Sequence, residues 1–299
     1  MKKTLLASAI LAGLVSATAQ AATVYEQDGT SLDVIGGAEV VAVSKDSIDG
    51  TLGHDNYGYI GLSGSSKVSD TVTAYADFVI ETDDVDAGTF AIDDLIVGFD
   101  TAYGDFSFGG TDSAIGQISD FTDIGAYHGG IQEVVEGEGA TGFGYANTFS
   151  GLTVNAEFIA SSEEDADSIG LSAVYSLDFG LDLGAGYVVL DDANELALAL
   201  GYSIGDFYLG LGYADGENTT GADYTSIEVA AQYAVTDALT VTALLGQAET
   251  DDVDTTDYYA VDASYAINDS VVTYASFQAD NIDDVEDDSE IVVGVAYDF

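Results

Sequence analysis

The chain has no cysteine, no proline and no arginine. Without cysteine no disulfide can brace an exported fold, so stability has to come from hydrogen bonds and packing. Cationic side chains are almost missing: four lysines stand against 54 aspartates and glutamates, a formal net charge of −50 over 299 residues. Nucleic acid is excluded as a partner, because almost nothing is available to neutralise phosphate. Chemistry that needs a cationic clamp is disfavoured for the same reason. Beyond the first residues there is no run of 18 apolar residues, which excludes a transmembrane helix. Glycine is abundant, with 35 residues, and recurs where it would weaken a helix.

What is present starts with MKKTLLASAILAGLVSATAQA. Lys2 and Lys3 make a positive start, the apolar run goes from Leu5 to about Val15, and Ala19-Gln20-Ala21 is a small-x-small site. These parts predict a secretory signal peptide over residues 1–21, cleaved after Ala21, and a single domain over 22–299. That domain keeps only Lys45 and Lys67 as cations. Its plentiful aromatic and aliphatic residues set it apart from a disordered acidic chain.

Alternation with period two dominates the domain. In the last segment Ile291, Val293, Val295, Tyr297 and Phe299 share one face, and Glu290, Val292, Gly294, Ala296 and Asp298 the other. The segments beginning near Leu181, Asp223 and Asp257 repeat the pattern. Sixteen such segments are predicted: 31–44, 56–66, 71–81, 90–101, 105–110, 140–149, 152–161, 168–178, 181–190, 194–203, 206–214, 223–235, 238–249, 257–267, 270–280 and 289–299. Tight connections such as Ser150-Gly151 and Ile204-Gly205-Asp206 supply the positive φ of short hairpins. A second set is longer and acidic: 163–167, 251–254 and 283–288.

An even number of strands, short turns at one end and polar loops at the other predict an all-β, 16-stranded antiparallel transmembrane β-barrel. Closure removes the exposed edges that so many strands would otherwise present. A soluble sandwich would not need a small polar face opposite a tyrosine-bearing apolar face on strand after strand. A barrel of this size encloses water rather than a packed core. One stretch breaks the alternation, Gly110 to Gly139, about thirty residues long. A loop of that length inside a compact structure usually has a function. It is expected to fold inward between the fifth and sixth strands and to constrict the lumen. It carries His128, one of two histidines, and the acids Asp112, Asp120, Asp123 and Glu138 among others.

The order of several motifs resembles the general, non-specific porins of Gram-negative outer membranes. ATVYEQDGTSLDVIGGAEVVAVS is similar to their mature start. YGDFSFGGTD followed by ISDFTDIGAYHGG resembles their fifth strand and constriction loop, and GFGYANTFSGLTVNAEF the hairpin after it. The terminal VAYDF, with Tyr297 and Phe299, resembles their assembly signal. The resemblance spans the whole domain. It implies a homotrimer in outer-membrane lipid and lipopolysaccharide, passing small hydrophilic solutes by diffusion. It also implies a constriction in which loop acids face a basic cluster on the wall. The family's loop aspartate falls on Asp123. Its loop glutamate falls on Tyr127, next to His128. Its wall arginines fall on Tyr59, Asp94 and Gly110, and one beyond the loop falls near Glu138. The basic cluster is therefore gone, and a field of one sign remains, which concentrates cations and repels anions. A cation-preferring diffusion channel is expected; a substrate-selective channel for cationic solutes is the alternative.

No enzyme is expected. Outer-membrane proteases carry an Asp-x-His pair, whereas Leu52 and Ala126 precede His54 and His128 here. Barrel phospholipases carry His-x-Ser, whereas Asn56 and Gly130 follow. No cofactor is expected beyond weak divalent-cation binding by acidic loops, since Asp251 to Asp257 lacks the glycine of an EF-hand loop. His128 reads as a polar loop residue, with a pH-sensing gate as the lesser reading. Inward acids such as Glu228 and Asp262 read as ordinary solvation of the lumen.

Overall fold

A computed structural model describes residues 22–45, 52–82, 89–110, 113–131, 135, 141–161, 167–282 and 288–299. Nearly all of it is strand. The first strands are β1 (Ala22–Gln27), β2 (Thr30–Lys45), β3 (Leu52–Ser69), β4 (Val72–Thr82), β5 (Ala91–Thr101) and β6 (Gly104–Gly109). A single helical turn, α1 (Gly116–Ser119), follows. Then come β7 (Gly142–Phe149), β8 (Leu152–Ile159), β9 (Ser168–Ser176), β10 (Leu181–Leu190), β11 (Ala193–Ile204) and β12 (Phe207–Glu217). The last are β13 (Asp223–Ala234), β14 (Leu239–Thr250), β15 (Val253–Asn268), β16 (Val271–Asp280) and β17 (Ser289–Asp298).

Strands β2 to β17 each pair antiparallel with the next, and β17 returns to pair with β2. The sheet is thus a closed barrel of sixteen strands. β1 is the one strand that alternation did not predict. It pairs with Thr30 to Val34 of β2, on the edge that β17 occupies from Gly37 onward. Two pieces of chain thus complete one edge of β2. The seam is held where the Phe299 amide donates to the Gly36 carbonyl at 2.9 Å and the Gly36 amide returns the bond at 3.1 Å. A Cβ at Gly36 would run into the Phe299 ring, so glycine is what admits the terminal aromatic.

The outward and inward faces follow the alternation. On β10, Leu183, Tyr187 and Val189 are exposed while Gly184, Gly186 and Val188 are buried. On β17, Ile291, Val293, Val295 and Tyr297 are exposed. In a bilayer such side chains meet hydrocarbon, and closure leaves no strand edge unpaired there. Aromatics gather near strand ends, as in the stacked Phe207–Tyr233 pair with ring centroids 4.3 Å apart. Ends of this kind suit the interfacial girdle of a membrane barrel.

One turn departs from expectation. Asp251 to Asp254 is not a longer loop. Asp251 and Asp252 take positive φ of 52° and 62°, and β15 resumes at Val253 opposite Thr250. Aspartate tolerates the left-handed region, so an acidic pair closes a two-residue hairpin as Asn-Gly does elsewhere. The predicted signal peptide, residues 1–21, lies outside the described residues. So do most of the acidic segments 163–167 and 283–288.

Candidate functional site: the loop against the inner wall

Between β6 and β7 the described residues form no strand, only α1 and irregular chain. The segment is itself amphipathic. Ala114, Ile115, Ile118, Phe121, Ile124 and Val135 are buried. They meet the inward residues of β10 to β15. One cluster joins Ile115, Ile118, Phe121 and Val135 to Val188, Ala197 and Ala214. A second joins Ile124 to Tyr208, Leu244 and Tyr258. The loop therefore lies on the inner face of the wall. Glycines make room for it: a Cβ at Gly184 or Gly186 would press on Ile118 and Ile115. Burying a side chain of the size of Ile118 or Phe121 is worth roughly 1.5–3 kcal/mol.

Polar anchors fix the loop in register. Glu157 on β8 accepts the Ala114 amide at 2.6 Å. Glu195 on β11 accepts the Val135 amide at 3.0 Å. Asp262 on β15 accepts the Ala126 amide at 2.7 Å and also holds the Ser276 hydroxyl. Glu228 on β13 accepts the Tyr258 hydroxyl, with Thr122 and Gly130 of the loop beside it. Gln117 donates to the Ser172 hydroxyl at 2.5 Å, and Tyr208 donates to the Phe121 carbonyl at 2.9 Å. Charge-assisted bonds from backbone amides to carboxylates are the stronger kind. Glu228 and Asp262 are thus not ordinary lumen solvation: they are 0% and 2% exposed, under the loop. The reason is tertiary. An inward acid on a strand is solvated only where nothing folds over it.

The expected site residues separate into three groups. Asp123, Tyr127 and His128 lie together in the second half of the loop. The Asp123 carboxylate reaches water, yet Gly129 and Gly130, both at positive φ, curl over it. The surrounding protein displaces part of its hydration and raises its pKa above the usual carboxylate range. Tyr127 donates to Asp55 of β3 at 3.1 Å and packs edge-on against the His128 ring, with centroids 4.9 Å apart. Burial and nearby acids push the Tyr127 phenol up. His128 lies near Asp262. Asp120 caps the end of α1 and is exposed.

The second group stands on the wall. Tyr59 points inward from β3 and donates to Asp298 at 3.1 Å. Asp94 is partly exposed on β5, two and four residues from Ile96 and Gly98. Gly110 follows directly after β6, and its amide donates to the Leu95 carbonyl at 3.1 Å. The third group, Asp112 and Glu138, lies outside the described residues.

Sequence reasoning missed the wall anchors Glu157 and Glu195. Each is an acid within a strand, on its inward face, and that placement is a usable signal. Among the described residues no cluster of His, Asp or Glu is arranged to hold a metal ion. Lys67 pairs with Asp70 at 2.9 Å near the β3–β4 turn, away from the loop.

Known proteins share both the sequence and the barrel. A family model described as Gram-negative porin matches residues 7–285. The chain is similar to outer membrane protein U of Vibrio parahaemolyticus serotype O3:K6, 31% identical over the whole of both chains. It is similar to porin-like protein L of Photobacterium profundum, 28% identical, again over the whole of both. Among solved structures, OmpF of Salmonella typhi in complex with daunomycin superposes with a TM-score of 0.80 at 18% identity, covering 92% of this chain and 99% of that one. The trimer form of OmpT of Vibrio cholerae gives 0.73 at 17% identity, over 91% and 100%. With the barrel closed and the family model spanning nearly its whole length, the chain belongs to the Gram-negative porins, channel proteins of the outer membrane.

Proposed function

We propose that this porin is a cation-preferring diffusion channel for small hydrophilic solutes, narrowed by the loop between β6 and β7. The observation that carries the reading is the absence of arginine from a lumen rich in carboxylates. The wall positions that match the family's arginines hold Tyr59, Asp94 and Gly110. Tyrosine satisfies a carboxylate by donating a hydrogen bond, as Tyr59 does to Asp298, and leaves the negative charge in place. A lumen of one sign concentrates the opposite ion. Asp120 and Asp123 are exposed acids of the loop, and with Tyr127 and His128 they form the loop's contribution to the narrow region. Asp94 contributes from the wall, and Asp112 and Glu138 belong to the same acidic set.

The same reading takes residues 1–21 as a signal peptide and the assembly as a homotrimer in lipid and lipopolysaccharide. The OmpT relative described as a trimer supports that assembly. Purified protein in a planar bilayer under a salt gradient tests the selectivity. A reversal potential on the cation side is expected, and an anion-side potential contradicts it.

A further inference from the structure

Four tyrosines inside the barrel differ from the rest. Tyr208, Tyr224, Tyr258 and Tyr274 are buried, in clusters that include loop residues Val135, Ile124, Ala126 and Tyr127. Tyr57 and Tyr59 on β3 and Tyr75 on β4 instead stay partly open. Each of these is fixed at its hydroxyl. Tyr57 donates to Glu81 at 2.7 Å, Tyr59 to Asp298 at 3.1 Å and Tyr75 to Asp105 at 2.7 Å. Two are also supported from behind. The Tyr59 ring leans over Gly37 of β2 and the Tyr75 ring over Gly98 of β5, where any Cβ would collide with it. The Tyr57 and Tyr59 rings stand 5.9 Å apart at 35°. Rings held at the tip and on a neighbouring strand have their remaining surface turned toward the passage.

Carboxylates surround that surface. Glu39 pairs across the ladder with Tyr57, and Glu81 with Tyr59. Potassium takes carboxylate oxygens but gains little from an aromatic face while hydrated. A methylated ammonium is weakly hydrated, and the face of a tyrosine attracts it. We propose that Tyr57 and Tyr59 form a binding strip for small organic ammonium cations in transit, with Glu39 and Glu81 across the ladder supplying the counter-charge. This rests on the reading of the chain as a cation-preferring channel and names a solute class for it.

The test compares potassium chloride with tetramethylammonium chloride in planar bilayers holding the full protein. Wild-type conductance should saturate with tetramethylammonium at concentrations where potassium conductance still rises in proportion. The paired substitution Tyr57→Leu with Tyr59→Leu should raise the half-saturating concentration about five-fold, the scale of losing two ring faces. The paired Tyr57→Phe with Tyr59→Phe keeps the rings, loses the hydroxyls and should stay within about two-fold of wild type. Proportional tetramethylammonium conductance in the wild type overturns the strip. So do phenylalanine and leucine pairs that behave alike. If the leucine pair fails to insert, Tyr57→Leu alone decides the matter: a shift of about two-fold supports the strip and no shift contradicts it. Potassium current in the same membranes reports the channel itself, so loss of that current and loss of the strip are told apart.

Discussion

The Asp262 carboxylate on β15 accepts the Ala126 amide of the loop at 2.7 Å, with its other oxygen held by the Ser276 hydroxyl. The two residues are 136 positions apart. This bond places the second half of the loop, and therefore Asp123 and Tyr127, relative to the wall.

Removing that acceptor should loosen the loop without opening the barrel. Asp262→Ala leaves the Ala126 amide and the Ser276 hydroxyl without their carboxylate, at a cost of about 1–3 kcal/mol. Faster hydrogen exchange at residues 124–128, with the strand amides still protected, is the expected outcome. Unchanged exchange there would show that the anchor carries nothing.

Ile118 is fully buried between the loop and the inner wall. Ile118→Ala should lower the stability of the docked loop by about 2–5 kcal/mol, the range for emptying a well-packed aliphatic site. Limited proteolysis within residues 113–131 of the folded protein is the direct assay. Resistance equal to wild type would contradict tight docking.

Asp123 has a pKa raised by the protein around it. Between its unfolded and folded values the folded state holds more protons than the unfolded state, so this group's contribution to stability is lost as pH rises through that window. Under the proposed function the same ionisation supplies pore charge. Cation preference should therefore fall on acidification with a step above the ordinary carboxylate range, and Asp123→Asn should weaken the preference at neutral pH and erase that step. A variant with the wild-type profile would take Asp123 out of the selective region.

Tyr59 falls where the porin resemblance implies a wall arginine, and its hydroxyl already meets Asp298. Tyr59→Arg should pair with Asp298 or Glu81, restore positive charge to the wall and reduce cation preference. Reversal potentials of the variant and wild type in the same gradient measure it. No change would place Tyr59 away from the ion path.

Much of the barrel was legible because a strand with one face in lipid and the other in water writes its geometry as alternation. The segments of β10 and β17 matched that pattern residue by residue. β1 escaped because its six residues, all exposed, carry no two-faced pattern to read. The Asp251-Asp252 turn escaped because consecutive acids resemble a solvated loop until their φ angles are seen. The loop itself was legible as a break in alternation, and its grouping of Asp123, Tyr127 and His128 follows from short sequence separation. Its anchors were not. Whether Glu228 or Asp262 faces water or a loop amide depends on what folds over it, and that partner lies far away in the chain.

The most direct measurement is the zero-current potential of the reconstituted porin across a ten-fold potassium chloride gradient. A lumen without arginine and lined by carboxylates predicts a clear displacement toward the potassium equilibrium potential, reduced by high salt as screening shortens the reach of the fixed charge. A potential near zero, or displaced toward chloride, would contradict an acidic cation-preferring pore.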